Sequence, residues 1–260
     1  MTLVREPAVA GQFYPESPAE LQALVSELLA DRERDAGVPP KALIVPHAGY
    51  VYSGAVAASA YACLSRYRDV YKRVVLLGPC HRVPVAGMAL SGADKFRTPL
   101  GDVPVDREAV AALEAKGITV FEPSHQYEHS LEVQLPFLQT VLGDFSIVPI
   151  VVGEATARAV ASLLETLWAG PETLIVISSD LSHYLDYESA RAQDETTCRR
   201  IEHLDSHIEH DDACGATPLR GLLLAAKRRG MNVTTLDLRN SGDTGGDRDF
   251  VVGYGAWAFT

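Results

Sequence analysis

Cysteine is scarce in this 260-residue sequence, which contains only Cys63, Cys80, Cys198 and Cys214. No two of them have the CxxC spacing, which excludes a zinc ribbon and a thioredoxin-type redox motif. Disulfide frameworks are dense and occur in short chains, so four scattered cysteines fit a reduced protein better. We therefore expect a cytoplasmic location.

Positive charge and long apolar runs are also missing. The formal net charge is −11, and one basic cluster, Lys227-Arg228-Arg229, falls at the end of a predicted helix where it complements the helix dipole. Phosphate recognition needs more lysine and arginine than this, so we expect no nucleic-acid partner. Apolar runs such as Ile147 to Val152 are far shorter than the ~20 residues that span a bilayer, and the first residues lack the apolar stretch of a signal peptide. We expect a soluble protein with no membrane contact.

Short apolar runs do alternate with helical patterns along the whole chain. Continuous apolar strands are typical of a sheet covered on both faces, and strand–helix alternation is typical of parallel strands. The sequence predicts an α/β fold with a mainly parallel central sheet covered by helices on both faces, in a single domain over residues 1–260. The predicted strands are 42–45, 74–77, 118–121, 146–152, 174–177, 233–238 and 250–259; the predicted helices are 21–30, 53–65, 106–116, 129–142 with a break at Pro136, 156–168, 188–210 and 218–229.

Four predicted strand ends carry a side chain that can bind a metal: His47, His81, His183 with Asp180, and Asp243. A lone histidine at a strand end is usually a hydrogen-bonded structural residue. Three histidines at the ends of buried strands, together with a carboxylate, are harder to explain that way. Because ligands of open α/β sheets bind at the carboxyl ends of the strands, we predict one polar site there.

A second polar cluster surrounds His129 and Glu132, which would share one face of a helix because they lie three residues apart. Two interpretations are open: a pair that lies behind the site and orients its ligands, or a helix start in which Ser130 or Glu132 has a capping role. The later histidines, His203 to His210, lie in an acidic segment and are predicted on a solvated helix face.

Several segments resemble the MEMO family, in chain order and over essentially the whole sequence. The resemblance rests on Arg5 to Pro15, Val45 to Gly54, Leu77 to His81, Glu128 to Phe137, Ser178 to Tyr184 and Asn240 to Asp243.

This family is similar in fold to the class III, LigB-type extradiol dioxygenases, which use non-haem Fe(II). By that similarity His47, His81 and a residue of the loop around Gly242 match the metal position, and His183 matches the acid–base histidine with Asp180 beside it. Animal members carry a cysteine in that loop, where Asp243 stands here, and have been described both as motility-linked adaptors and as metal-binding redox proteins. Prokaryotic members are associated with radical-SAM and AMMECR-type proteins, which the resemblance implies as partners.

The resemblance and the strand ends together predict a metal set of His47, His81 and Asp243. Two histidines and one carboxylate form the facial triad of non-haem Fe(II) oxygenases, so Fe(II) is expected, with Zn(II) or Cu as alternatives. Three functions use this set: a metal-dependent oxidoreductase, a non-catalytic module that binds a small molecule or peptide, and a zinc hydrolase. The sequence leaves the choice among them open.

Overall fold

The computed structural model describes residues 2–30, 32 and 37–260, and in these residues strands alternate with helices. The predicted α/β class is confirmed. The strands are β1 Val4–Arg5, β2 Ala42–Val45, β3 Arg73–Pro79, β4 Met88–Leu90, β5 Lys95–Thr98, β6 Gly101–Pro104, β7 Thr119–Val120, β8 Ser146–Val152, β9 Thr173–Ser178, β10 His183–Leu185, β11 Val233–Asn240 and β12 Val251–Phe259. The helices are α1 Pro18–Leu29, α2 Ala55–Tyr61, α3 Arg107–Glu114, α4 Pro123–Gln126, α5 Leu135–Val141, α6 Ala157–Leu167, α7 Tyr187–Glu202 and α8 Ala216–Arg229.

Among the described residues the main sheet has nine strands, with a parallel centre and a further parallel pair, β4 and β7, at one edge. The order is β10-β12-β2-β9-β3-β8-β4-β7, with β11 also paired to β12. Strands β2, β9, β3 and β8 run parallel, whereas β12 is antiparallel to β2 and β4 is antiparallel to β8. Strands β1, β5 and β6 form a separate small sheet. The parallel centre is the part that brings several carboxyl ends to one edge.

The central strands are covered on both faces. Every residue of β2 and β9 is buried, although successive side chains of a strand point to opposite faces. This explains why their sequences read as continuous apolar runs rather than as an alternation of polar and apolar residues. Helices α1, α2 and α5 contact one another, and α6 packs against α8, which in turn contacts β3 and β9.

Local sequence signals account for the helix ends. The Ser17 hydroxyl accepts the Glu20 N–H at the start of α1, with Pro18 in the first turn as predicted. Helix α8 ends at Gly230, which has φ +64°, and its last turn carries the basic cluster Lys227–Arg229. No helix among the described residues is long and apolar enough to cross a bilayer.

Two predicted helices are shorter than expected. The segment 129–142 splits into a 3₁₀ turn at Glu132–Gln134 followed by α5, because Pro136 is tolerated only in the first turn. Helix α7 was predicted to reach residue 210 but ends at Glu202, and Leu204 then adopts φ +51°. The chain from 203 to 215 is consequently a loop that is free to turn back over the sheet edge.

His125 generates a prediction about stability and pH. Its ring is buried, Nε2 lies 3.1 Å from the Ala89 carbonyl oxygen, and Nδ1 has no hydrogen-bond partner among the described residues. Burial lowers the pKa of His125 to about 4, whereas an unfolded histidine titrates near 6.5. Below about pH 6.5 the unfolded chain therefore binds a proton at His125, whereas the folded chain does not. The contribution of His125 to the free energy of unfolding is complete above about pH 6.5 and is lost as the pH falls toward 4.

We expect the free energy of unfolding of the native chain, from urea titrations, to fall between pH 7 and pH 5. His125→Gln, which keeps an N–H for Ala89, should reduce this fall by about 2 kcal/mol. His207 is exposed, so His207→Gln serves as the control and should leave the fall unchanged. Equal pH dependence in all three proteins would contradict the assignment.

Candidate metal site at the strand ends

Three side chains converge because each stands two residues beyond the end of a central strand. His47 follows β2, His81 follows β3 and Asp180 follows β9, and these strands are neighbours in the sheet. The His47 and His81 ring centroids are 5.1 Å apart. The predicted meeting of the two histidines at the carboxyl edge is thus found in the structure.

The hydrogen bonds behind His47 determine which ring nitrogen carries the proton. The Ser178 hydroxyl donates its one hydrogen to the Ser130 carbonyl at 2.6 Å and accepts an N–H of Gln134 at 2.8 Å. It lies 2.9 Å from His47 Nδ1, which must therefore be the N–H donor of that pair. Nε2 of His47 is left with a free lone pair directed at the site. Burial, then the neighbouring His81, lowers the pKa of His47 to about 3, so the ring is neutral at pH 7.

A carboxylate orients His81 in the way that Ser178 orients His47, by accepting the Nδ1–H of the ring. Glu128 accepts both the ring Nδ1–H at 2.9 Å and the backbone N–H at 2.6 Å of His81, and it also accepts the backbone N–H groups of His129 and Ser130. Burial opposes ionisation of Glu128, but the hydrogen bonds from His81 and Ser130 outweigh it and hold the pKa of Glu128 at about 2. The carboxylate is thus fully engaged, and it directs Nε2 of His81 into the site.

The third donor is Cys214, which sequence reasoning missed. Its Sγ lies 3.2 Å from His47 Nε2, and the possible ligand atoms of His47, His81 and Cys214 all lie within 4.8 Å of one another. Burial, then the nearby Asp180, raises the pKa of the Cys214 thiol, which as S–H donates to the free lone pair of His47. Cys214 precedes α8, and helices packed on a parallel sheet begin at the edge where the strands end. A cysteine just before a predicted helix was the available signal.

Asp243 does not lie with the two histidines in the described structure, and its contacts do not support the predicted role as their co-ligand. Its carboxylate accepts the Tyr187 hydroxyl at 2.6 Å and the Asn240 N–H at 3.1 Å, which closes a capping box at the end of β11. Strand β12 lies between β11 and β2, and each strand adds about 5 Å. The strand before Asp243, β11, is therefore about 10 Å from β2, the strand before His47. Asp243 lies at the same edge of the sheet as His47 but is too far away to bind the same ion.

His183 and Asp180 line the cavity that contains the three donors, which has a volume of ≈ 680 Å³. Asp180 Oδ1 accepts the His47 backbone N–H at 2.7 Å, and burial raises the pKa of Asp180. His183 opens the short strand β10, next to Tyr184, which has φ +59°. Both predicted acid–base residues thus face the two histidines across one cavity.

His129 and Glu132, predicted to act together behind the ligands, have separate partners. His129 lines the cavity and stacks on His81 with ring centroids 4.5 Å apart, and burial lowers its pKa to about 4. Glu132 instead pairs with buried Arg5, so the two residues do not act as one pair behind the ligands. The Glu132 carboxylate also accepts the Tyr14 hydroxyl and the N–H groups of Ala8 and Val9, which anchors the amino-terminal segment to the wall of the site.

The late histidines His203, His207 and His210 are all exposed, as predicted, but His207 and His210 lie in a loop rather than on a helix. His210 and Asp211 also line the cavity with Cys214, because α7 stops early and the following loop folds over the sheet edge.

Comparison with known proteins adds a family to this geometry. A family model described as Memo-like protein matches residues 5–258. The chain is 39% identical to a MEMO1 family protein of Methanosarcina barkeri, with 97% of this chain and 98% of the relative covered. It is 39% identical to one of Aquifex aeolicus, with 96% and 97% covered, and 40% identical to one of Aeropyrum pernix, with 97% and 98% covered.

The site predicts which substitutions weaken metal binding. Cys214→Ser should lower the affinity for Zn(II), measured by competition with a chromophoric chelator, by at least about 100-fold, because it removes a direct donor. Glu128→Gln should cost roughly 10- to 100-fold, since it disturbs the group that orients His81. Asp243→Asn is the control and should change the affinity less than about twofold. A loss of affinity in Asp243→Asn with none in Cys214→Ser would restore the aspartate and reject the cysteine.

Proposed function

The chain belongs to the Memo-like family, and from its strand-end site we propose that it is a metal-dependent oxidoreductase. The observation that carries the proposal is the donor set: the imidazoles of His47 and His81 and the thiol of Cys214, whose possible ligand atoms all lie within 4.8 Å of one another. Structural zinc sites are closed by four protein ligands, whereas catalytic sites keep a position open. Three donors on the wall of a large cavity fit the second kind.

The donors fit a transition metal rather than magnesium or calcium. Imidazole suits iron, copper and zinc, while a thiolate favours softer ions than a carboxylate does. With Cys214 in place of Asp243 as the third ligand, we propose Fe(II) or copper as the redox-active ion. The thiolate favours copper over iron because copper is the softer ion. When bound, such an ion supplies one-electron chemistry to a molecule held beside it.

The protein's own residues then supply binding and proton transfer. Asp180 faces the cavity with a raised pKa, so its carboxyl group can hold a proton nearer to neutral pH than an ordinary aspartate. His183 lies in the same wall and can accept or deliver a proton at a ring nitrogen. His129 narrows the cavity beside His81.

A zinc hydrolase is the second candidate, and Cys214 is the observation that favours it, since thiolate and imidazole are ordinary zinc ligands. In that case the ion would lower the pKa of a water, and His183 or Asp180 would take up its proton. The two candidates differ in the metal, so they can be separated by loading the protein with one ion at a time.

The proposal is tested with anaerobically purified protein loaded with Fe(II), Cu(I) or Zn(II). We expect near one ion bound per chain. For iron or copper, we also expect the bound ion to be oxidised by O₂ at a rate that differs from the rate for the free ion. Cys214→Ser should abolish this difference and Asp243→Asn should keep it. Stoichiometric Zn(II) binding with ester hydrolysis, and no uptake of iron or copper, would move the assignment to the hydrolase.

Metal uptake should also release a proton. His47 is neutral at pH 7, but the Cys214 thiol has a raised pKa and must lose its hydrogen to coordinate an ion. Calorimetric titration with Zn(II) in buffers of different ionisation enthalpy should therefore give about one proton released per ion for the native chain, and about none for Cys214→Ser. Release of no proton by the native chain would mean that the thiol is not a ligand.

A further inference from the structure

The metal site opens into a second compartment. This rim compartment has a volume of ≈ 470 Å³ and shares His129, Asp180, His183 and Tyr184 with the cavity of the three donors. The residues common to both include the two groups to which we assign proton transfer. A molecule in the rim compartment would therefore contact the same residues that line the cavity of the three donors.

Several exposed apolar side chains lie together around the rim compartment. Nine large hydrophobic residues are exposed in the described part of the chain, and four of them line this one compartment. They are Val51, Tyr52, Tyr184 and Phe250. Scattered exposed hydrophobics need no explanation, but a group around the mouth of a polar site indicates ligand binding.

The backbone is arranged to hold these side chains at the mouth. Tyr184 has φ +59°, a conformation that a bulky residue adopts at a cost, and its ring is 73% exposed. On the opposite side, a Cβ added to Gly245 would come within 3.2 Å of Val51 Cγ2. The glycine lets the loop between β11 and β12 close against Val51 and Tyr52. The loop that the sequence singled out thus builds the rim rather than a metal ligand.

The charged side chains that line the two compartments include acidic residues but, within the described residues, no lysine or arginine. The acidic residues are Asp180, Asp211 and Asp247. The nearest arginine of the loop, Arg248, lies over the Tyr187 ring at 4.3 Å from the centroid, outside the lining. The described lining therefore offers no lysine or arginine to a carboxylate or a phosphate, and the chain as a whole carries −11.

We infer that the molecule received by this site is an organic amine that carries an aromatic or other flat apolar group. The exposed rings of Tyr52, Tyr184 and Phe250 offer faces to the apolar part and to the cationic nitrogen, and the aspartates complement its charge. This inference rests on the proposed function, because it names what the metal pocket receives. Its binding determinants lie in the rim, however, and can be tested without a metal.

The experiment compares two probes of similar shape and opposite charge, 2-phenylethylamine and 3-phenylpropionate. Binding to metal-free and to Zn(II)-loaded protein is measured by calorimetry or by NMR titration. In metal-free protein we expect the amine to bind at least roughly tenfold more tightly than the carboxylate. Carboxylate binding equal to or stronger than amine binding in metal-free protein, or no binding of the amine, would overturn the inference.

Variants locate the binding. Tyr184→Gly removes the ring and relieves the positive φ, so it keeps the fold while weakening amine binding roughly three- to tenfold. Asp247→Asn should weaken the amine and not the carboxylate. Tyr127 is also exposed but lies outside the compartment, so Tyr127→Gly is the control and should change nothing. Unchanged amine affinity in Tyr184→Gly would overturn the inference.

The two proposals fail in different ways. If the metal assignment is wrong, the loaded protein takes up no ion while the charge preference of metal-free protein persists. If the amine inference is wrong, the ion binds and the preference is absent.

Discussion

The hydroxyl group of Ser178 is the contact on which the geometry of the site depends. It lies at the end of β9, donates to the Ser130 carbonyl, and accepts from Gln134 and from His47. The position of Gln134 is itself determined, because its amide donates to the Pro46 carbonyl and accepts from the Tyr61 hydroxyl. One buried hydroxyl thus joins the ends of two strands to the segment 128–134 and also determines which nitrogen of His47 faces the cavity.

Two buried glutamates four residues apart hold different parts of the structure in place. Glu128 turns toward the site and holds His81 and the turn at His129. Glu132 turns away and anchors the amino-terminal segment through Arg5 and Tyr14. Arg5 also donates to the Glu128 carbonyl, which connects the two groups. A buried carboxylate is costly unless it is paired with a cation or fully hydrogen-bonded. Glu132 is paired with Arg5, and Glu128 accepts hydrogen bonds from His81, His129 and Ser130.

The site combines a polar interior with an apolar mouth. The interior is lined by His47, His81 and Cys214 together with Asp180 and His183, whereas the rim carries the exposed rings, including that of Tyr184 with its positive φ. Such a division suits selection at the mouth and chemistry inside. The glycines of the loop after β11 belong to the mouth, since their lack of a side chain permits its close approach to Val51.

The sequence by itself determined the buried central strands, most of the helices and the edge where polar residues gather, because apolar period and capping chemistry are local properties. It therefore located His47, His81, Asp180 and His183 correctly at one edge. It did not reveal the short strands β1, β4, β5, β6 and β10. Only the tertiary structure decided which residue completes the set. Strand order places β12 between Asp243 and His47, and the packing of α8 on β3 and β9 brings Cys214 to the histidines from far along the chain. Neither is encoded in local spacing, since both depend on which elements pair across the whole fold.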